Sequence, residues 1–269
     1  MTTAHRNRAH RFAAVDMAQA VSVPLQQGQA AVLVRPSPER DGPTQDAAMV
    51  LDLGSRGVVL AVADGVGGLP RGADAAALAL QHLERAVRDR VAAGRGGLRE
   101  GIMDGFDAAH RAVADLAAGA GTTLAAVAVE DGVARPFHVG DSAILVVGQR
   151  GKVKHMSVMH SPVGYALEAG VLDEEEAMRH DERHVLFHAI GLADMKIEVG
   201  PRLPLAARDT VLLASDGLWD NLGAEEVADV VRAGALASSS QTLLERCQGR
   251  MADEARGKHD DLSFVLYRR

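Results

Sequence analysis

Two stretches end an apolar run on a carboxylate and then turn on glycine: AVADGVGG at 61–68 and ASDGLWDN at 214–221. In each, a strand of small and β-branched apolar residues stops at an aspartate, Asp64 or Asp216, so the charge sits at the rigid end of a buried segment. Gly65, Gly67 and Gly68 allow positive φ and close backbone approach, which lets the turn aim a carbonyl at a bound ion. Asp46 and Asp260 stand just before the starts of other apolar runs, and Asp141 occupies the turn of HVGDSA. The two kinds of strand end share a rim when the strands are antiparallel neighbours, so these carboxylates converge. Packed together without a cation they would repel and raise one another's pKa. Oxygen-only ligation by carboxylates, a carbonyl and water selects hard cations, magnesium or manganese, with calcium also admissible. Taken singly, such a motif reads better as a tight turn with a solvated aspartate; the recurrence carries the chemistry.

The elements that must place these acids follow from periodicity. Residues 29–34 form a short apolar strand, and a loop punctuated by proline and glycine runs from there to Asp46. Residues 47–53 and 58–63 form a hairpin around a turn at 54–57. Residues 72–90 and 98–118 read as amphipathic helices, the second with Ile102, Phe106, Ala109, Val113 and Leu116 on one face. Strands at 122–129, 133–139 and 143–147 are expected as an antiparallel meander with Asp141 in its second turn. Between 148 and 191 the rhythm breaks into a loop at 160–163 and a short acidic helix at 173–183, whose first-turn glutamates suit a helix dipole. Strands at 195–199 and 210–215 and helices at 224–233 and 239–256, the latter capped by serines, lead to a last strand at 262–267. Antiparallel runs separated by helix pairs argue for an α+β fold. No solenoid-length repeat or linker divides the chain. The expectation is a flexible N-terminal arm over 1–28 and one domain over 29–269.

Composition narrows the function. Hydrophobic residues make up 47% of the 269, charged residues 24%, and the net charge is −7, with no long basic block and only 3% aromatics. Nucleic acid is therefore not expected as a partner. No segment is apolar enough to span a bilayer, and the basic N-terminus lacks the apolar core of a signal peptide. The single cysteine, Cys247, fits a reducing compartment and lies on an apolar helical stripe, where it fills core. A cytoplasmic protein is expected.

VADGVGG, the GTTL at 121–124, HVGDSA, ASDGLWDN and the closing HDDLSFV occur in the order seen in metal-dependent protein phosphatases of type 2C. The segment at 148–191, with HSPVGYALEAGVLDEEEAMRH and HVLFHAIG, resembles the flap of the stand-alone bacterial members. The resemblance runs from residue 29 to the C-terminus, and five ordered motifs are far more specific than one. It implies two antiparallel β-sheets in a sandwich flanked by helices (α-β-β-α). The activity it implies is hydrolysis of phosphoserine and phosphothreonine in proteins by a water activated between two divalent cations about 3.5–4 Å apart. Position by position, it makes Asp64 the bridge between two metals and Gly65 a carbonyl ligand, with Asp216 and Asp260 completing the second ion. Asp46 orients the water, and Asp141 helps hold a third, weaker ion. Implied partners are phosphorylated proteins and a cognate Ser/Thr kinase, for a chain expected to be a monomer.

Four departures from the family pattern stand out. Val66 occupies the position where many members carry a histidine, and Asp41 stands near the place of the phosphate-binding arginine. That role passes to Arg40, one residue away; Arg35 is further. Gln45 replaces a glutamate before Asp46, while Ala143 and Met159 replace an arginine and an acid near the flap. These departures keep open an alternative: a catalytically weak or noncatalytic regulatory relative that binds metal and a phosphorylated partner. His180, His184 and His188 are spaced for a zinc face on a continuous helix, but 185–190 reads as the start of a strand and breaks it. Asp52, Asp209 and Asp220 read as turn or surface carboxylates, and Trp219 as core.

Overall fold

A computed structural model of the chain describes residues 8–69, 71–94, 96–116, 119–253 and 257–269. Two antiparallel sheets lie face to face, with helices on both outer sides, as the α-β-β-α expectation requires. The first sheet runs β1 (Arg8–Ala13), β4 (Asp46–Asp52), β5 (Val58–Asp64), β6 (Leu124–Glu130), β7 (Val133–Val139) and β10 (Glu198–Val199), with β11 (Leu203–Pro204) also paired to β7. The second runs β2 (Val21–Leu25), β3 (Gly28–Arg35), β13 (Leu262–Arg268), β12 (Thr210–Ala214), β8 (Ala143–Val147) and β9 (Val153–Met156).

Alternation along β5 shows why its sequence is apolar throughout. Val58, Leu60 and Val62 face the second sheet and meet Val32, Ile144, Leu213 and Val265. Val59, Ala61 and Ala63 face outward to α1 (Gly72–Ala92) and α2 (Leu98–Leu116), among Ala76, Leu83, Ile102 and Phe106. A strand buried on both faces has no polar alternation to show. The outer face of the second sheet, with Leu33, Leu145 and Leu212, is covered by α6 (Ala224–Val231) and α7 (Leu236–Met251). Cys247 lies fully buried there, and burial pushes its thiol up to about 12, so it is core as expected. Parity continues to the ends of the hairpin. Asp46 is in register with Asp64, and both extend the series that faces the second sheet.

Several expectations are corrected. The flexible arm over 1–28 does not hold for its described part, because β1 pairs with β4 and β2 with β3. Both are edge strands, half in solvent, with burial patterns too mixed and, in β2, a proline too many to read as strands from sequence; residues 1–7 lie outside the described residues. The meander also fails at its second turn. The chain leaves the first sheet at Val139 and enters the second at Ala143, where β8 pairs with β12 and β9 rather than β7. Gly140, at φ +101°, makes that crossing, and Asp141 is carried into the gap between the sheets' ends.

Helix α7 begins at Leu236, not at a serine cap. Ser240 Oγ donates to the Leu236 carbonyl inside the helix and Ser239 Oγ to the Val230 carbonyl of α6, so neither hydroxyl caps the helix start. The expected helix end at 252–256 falls partly on residues outside those described, as does the end of α2 at 117–118. Between 148 and 191 the structure adds β9 and α3 (Pro162–Glu168). It also shortens the acidic helix to α4 (Glu174–Met178), closed at its start by an Asp173–Glu176 capping box. The strand expected at 195–199 is only β10.

Candidate metal centre

At one end of the sandwich the rims of both sheets bring acids together. Asp46 and Asp64 come from the paired ends of β4 and β5. Asp216 opens α5 (Asp216–Trp219) directly after β12, and Asp260 precedes β13, the strand antiparallel to β12. Asp141 arrives from the crossing between sheets. A cavity of about 260 Å³ opens beside them, lined by Asp64, Asp141, Asp216 and Asp260 and also by Arg40, Val66, His184 and Lys258, while Asp46 is buried and not part of its lining.

Backbone hydrogen bonds fix the position of Asp64. Its carbonyl accepts from Thr123 N and Thr122 Oγ1, both at 2.8 Å, and its amide donates to Thr123 Oγ1 at 3.0 Å. The GTTL turn therefore serves to clamp the end of β5. Two glycines beside the acids are required by close backbone approach and not by unusual φ. A Cβ on Gly65 would run into the backbone of Gly72, and one on Gly217 into the carbonyl of Asp261. Of the three glycines in the first turn, only Gly68 has positive φ, at +76°. Asp46 is tied to the opposite sheet: Ser215 Oγ donates to its Oδ2 at 2.7 Å, while its Oδ1 has no hydrogen-bond partner. Asp216 Oδ1 is likewise buried and unpartnered.

The cost of this crowding appears in the protonation of the acids. Burial, then the charges of Asp46, Asp216 and Asp260, holds the Asp64 carboxyl well above the usual carboxylate range. Burial and Asp261 push Asp46 up to about 8, burial and Asp216 push Asp220 up to about 7, and the same pair of causes pushes Asp260 up to about 6. Asp141 is raised by burial and by Asp216. Buried, all-oxygen, mutually repelling and with two oxygens unpartnered, the cluster fits hard divalent cations. Without metal, each of these carboxyls binds its proton more tightly folded than unfolded. The stability these groups contribute is therefore fully present below the ordinary aspartate value of 3.8 and is lost as pH rises through 6 to 8. In a chelator the melting temperature is expected to fall by about 5 °C or more between pH 5.5 and 8. Saturating manganese should flatten that slope, and a slope that is equally flat in chelator would contradict the clustering.

Three residues of the site were not expected. Asp220, read from sequence as a turn or surface acid, stands one helical turn after Asp216; that four-residue spacing in ASDGLWDN was its available signal. Lys258 places Nζ at 2.8 Å from each of Asp216 Oδ2, Asp220 Oδ2 and Asp260 Oδ2. Burial works against its ammonium, but the charges of Asp216, Asp220 and Asp260 outweigh burial and raise its pKa. Asp261 fastens the loop before β4: its carboxylate accepts from Ser37 N at 2.8 Å, Gln45 N at 2.6 Å and Arg40 Nε at 2.8 Å. Arg40 is thus brought to the cavity wall. Arg35 points elsewhere, toward the Met17 carbonyl, and Asp41 is exposed.

The remaining expectations fall outside the cavity or at its edge. Asp52 and Asp209 cap turns, accepting from Gly54 N and Ala206 N, though both are buried. Trp219 is core and donates to the Ala214 carbonyl. His180, His184 and His188 share no helix, since α4 ends at Met178. His180 accepts from Glu182 N, His188 packs edge-on against His160, and His184 reaches the cavity. A separate group, His138, His160 and Glu198, brings ligand atoms within 4.8 Å of one another. There Gly140 N donates to His160 Nδ1, which leaves Nε2 carrying the proton and facing Glu198 Oε2 at 3.5 Å. That nitrogen offers a donor, not a lone pair.

Comparison with known proteins gives the family. The family model described as protein phosphatase 2C matches residues 38–254. Protein phosphatase PhpP of Streptococcus pneumoniae is 31% identical over 218 residues, 77% of this chain and 84% of that protein. Among solved structures, the Ser-Thr phosphatase MsPP from Mycobacterium smegmatis, in complex with cacodylate, superposes with a TM-score of 0.70. It is 27% identical and covers 89% of this chain and 97% of its own. The catalytic domain of the phosphatase PstP, in complex with two manganese ions, has a TM-score of 0.69 at 22% identity over 89% of this chain and 96% of its own, a likeness of fold.

Proposed function

This chain belongs to the protein phosphatase 2C family, and from that premise we propose that Asp46, Asp64, Asp216 and Asp260, with the Gly65 carbonyl, hold two divalent cations, manganese or magnesium. The protein is a metal-dependent protein serine/threonine phosphatase, and its substrates are phosphorylated proteins. The observation that carries the site assignment is the pair of buried, unpartnered oxygens, Asp46 Oδ1 and Asp216 Oδ1, within one cluster of acids. When bound, the cations supply an acidified water for in-line attack on phosphorus and neutralise charge on the phosphoryl oxygens.

The chain's own residues hold and orient. Asp64 reaches both sheets' acids from the clamped end of β5 and bridges the inner end of the cluster. Asp46, with Oδ2 fixed by Ser215, keeps Oδ1 free to orient the attacking water. Arg40, anchored through Nε on Asp261, has its terminal guanidinium nitrogens left to receive phosphoryl oxygens. Val66 supplies no proton at the cavity wall, which leaves water, or the cations beside the leaving seryl or threonyl oxygen, to stabilise it. Residues 148–191 form the flap beside the cavity, and Asp141 stands where the family resemblance would put a third, weaker ion. We place the enzyme in the cytoplasm as a monomer opposing a Ser/Thr kinase. The described residues contain no helix long and apolar enough to cross a membrane. The noncatalytic alternative is disfavoured by the complete set of metal acids.

Manganese-dependent phosphate release from a phosphothreonine peptide tests the activity. In that assay Arg40→Ala is expected to raise KM about tenfold or more, with a smaller fall in kcat, and Arg40→Lys to recover part of the loss. Unchanged initial rates across peptide concentrations would remove Arg40 from phosphate binding.

A further inference from the structure

The carboxylate cluster has two unlike ends. At the inner end, Asp46 Oδ1 and Asp216 Oδ1 are buried without partners. At the outer end, Asp216 turns its other oxygen, Oδ2, to Lys258, whose ammonium lies 2.8 Å from one oxygen each of Asp216, Asp220 and Asp260. A lysine ammonium is a compact point charge with three donors, and here three carboxylates take them one apiece. Its side chain is only 21% exposed, so it does not lie loosely on the surface. A divalent cation at the same three oxygens would have to displace that ammonium or sit against a like charge.

We propose that Lys258 is a tethered cation that occupies the outer end of the cluster in place of a further divalent ion, leaving the two inner ions to Asp46, Asp64 and the remaining oxygens of Asp216 and Asp260. The proposal rests on the phosphatase reading, which supplies the inner ions. Its consequence is a lower metal requirement. Six acids, Asp46, Asp64, Asp141, Asp216, Asp220 and Asp260, are neutralised in part by a charge the polypeptide carries itself, and an outer ion beside Asp141 finds its shared ligand, Asp216, already engaged.

Equilibrium dialysis against manganese, with bound metal counted per chain, tests this on the wild type, Lys258→Met and Lys258→Arg, alongside thermal melting in chelator and in saturating manganese. Lys258→Met is expected to bind one more equivalent than the wild type. It should melt lower in chelator and recover in manganese, since a divalent ion then fills the vacated position. Lys258→Arg, which keeps the charge, is expected to bind the wild-type number. Equal equivalents on wild type and Lys258→Met would overturn the proposal, as would a Met variant that stays unfolded in saturating manganese. A wild type that binds no manganese at all would instead overturn the phosphatase reading beneath it.

Discussion

Asp64→Asn is expected to lower manganese-dependent kcat/KM by at least about 10³-fold, a loss of about 4 kcal/mol of transition-state stabilisation. The metal-free protein should be no less stable than the wild type. The two effects have one cause. Asp64 sits among Asp46, Asp216, Asp260 and Asp141, which together with burial raise its pKa, so its negative charge is tolerable only beside cations. Asparagine keeps the shape, removes the bridging charge and relieves the repulsion. A variant that had merely misfolded would lose activity and stability together. Melting in chelator therefore separates the readings, and a variant that keeps full activity would remove Asp64 from the reaction.

The second large effect is one of position. Gly217→Ala is expected to destabilise the fold by about 3 kcal/mol, or about 6–12 °C in melting temperature, and to weaken manganese binding with it. Here the first residue after Asp216 packs its backbone on the carbonyl of Asp261. A methyl group there must push β12's end away from the start of β13, which separates Asp216 from Asp260. No flexible side chain can yield, because the atom it meets is backbone. Gly67→Ala is the matched control: nothing lies within 4 Å of a Cβ built there, and its φ is not positive. It should melt within about 1 °C of the wild type. If both variants behaved alike, close approach would not be the reason glycine follows the aspartate.

Much of this was legible in the sequence, and the part that was not has physical reasons. The run 58–63 read as a strand because both its faces are buried, and the short turn at 54–57 marked its hairpin with 47–53, whereas the register that sets Asp46 opposite Asp64 came only with the structure. The convergence of strand-end acids needed only the antiparallel rule. The crossing at Gly140 was missed because a turn of GDS type says that the chain bends and not which sheet the next strand joins. β1 and β2 were missed because edge strands bury one side of a few residues, leaving the arm's polar composition uppermost. Asp220, Lys258 and Asp261 escaped for a different reason. An acid after a helix turn, or a lysine in a loop, is solvated in most proteins, and only the tertiary approach of β12 and β13 turns these three inward. Asp261 is the clearest case. It stands next to Asp260, yet its carboxylate serves the loop that carries Arg40 while its neighbour's meets Lys258.

Acids carried by both sheets meet at one rim, where we propose that they hold divalent cations. Anomalous scattering at the manganese edge, from crystals grown with manganese, tests it most directly. The account predicts peaks within about 2.1 Å of carboxylate oxygens of Asp46 or Asp64 and of Asp216, with the outer oxygens still on Lys258. An absence of peaks there, or manganese found only beside His138, His160 and Glu198, would contradict it.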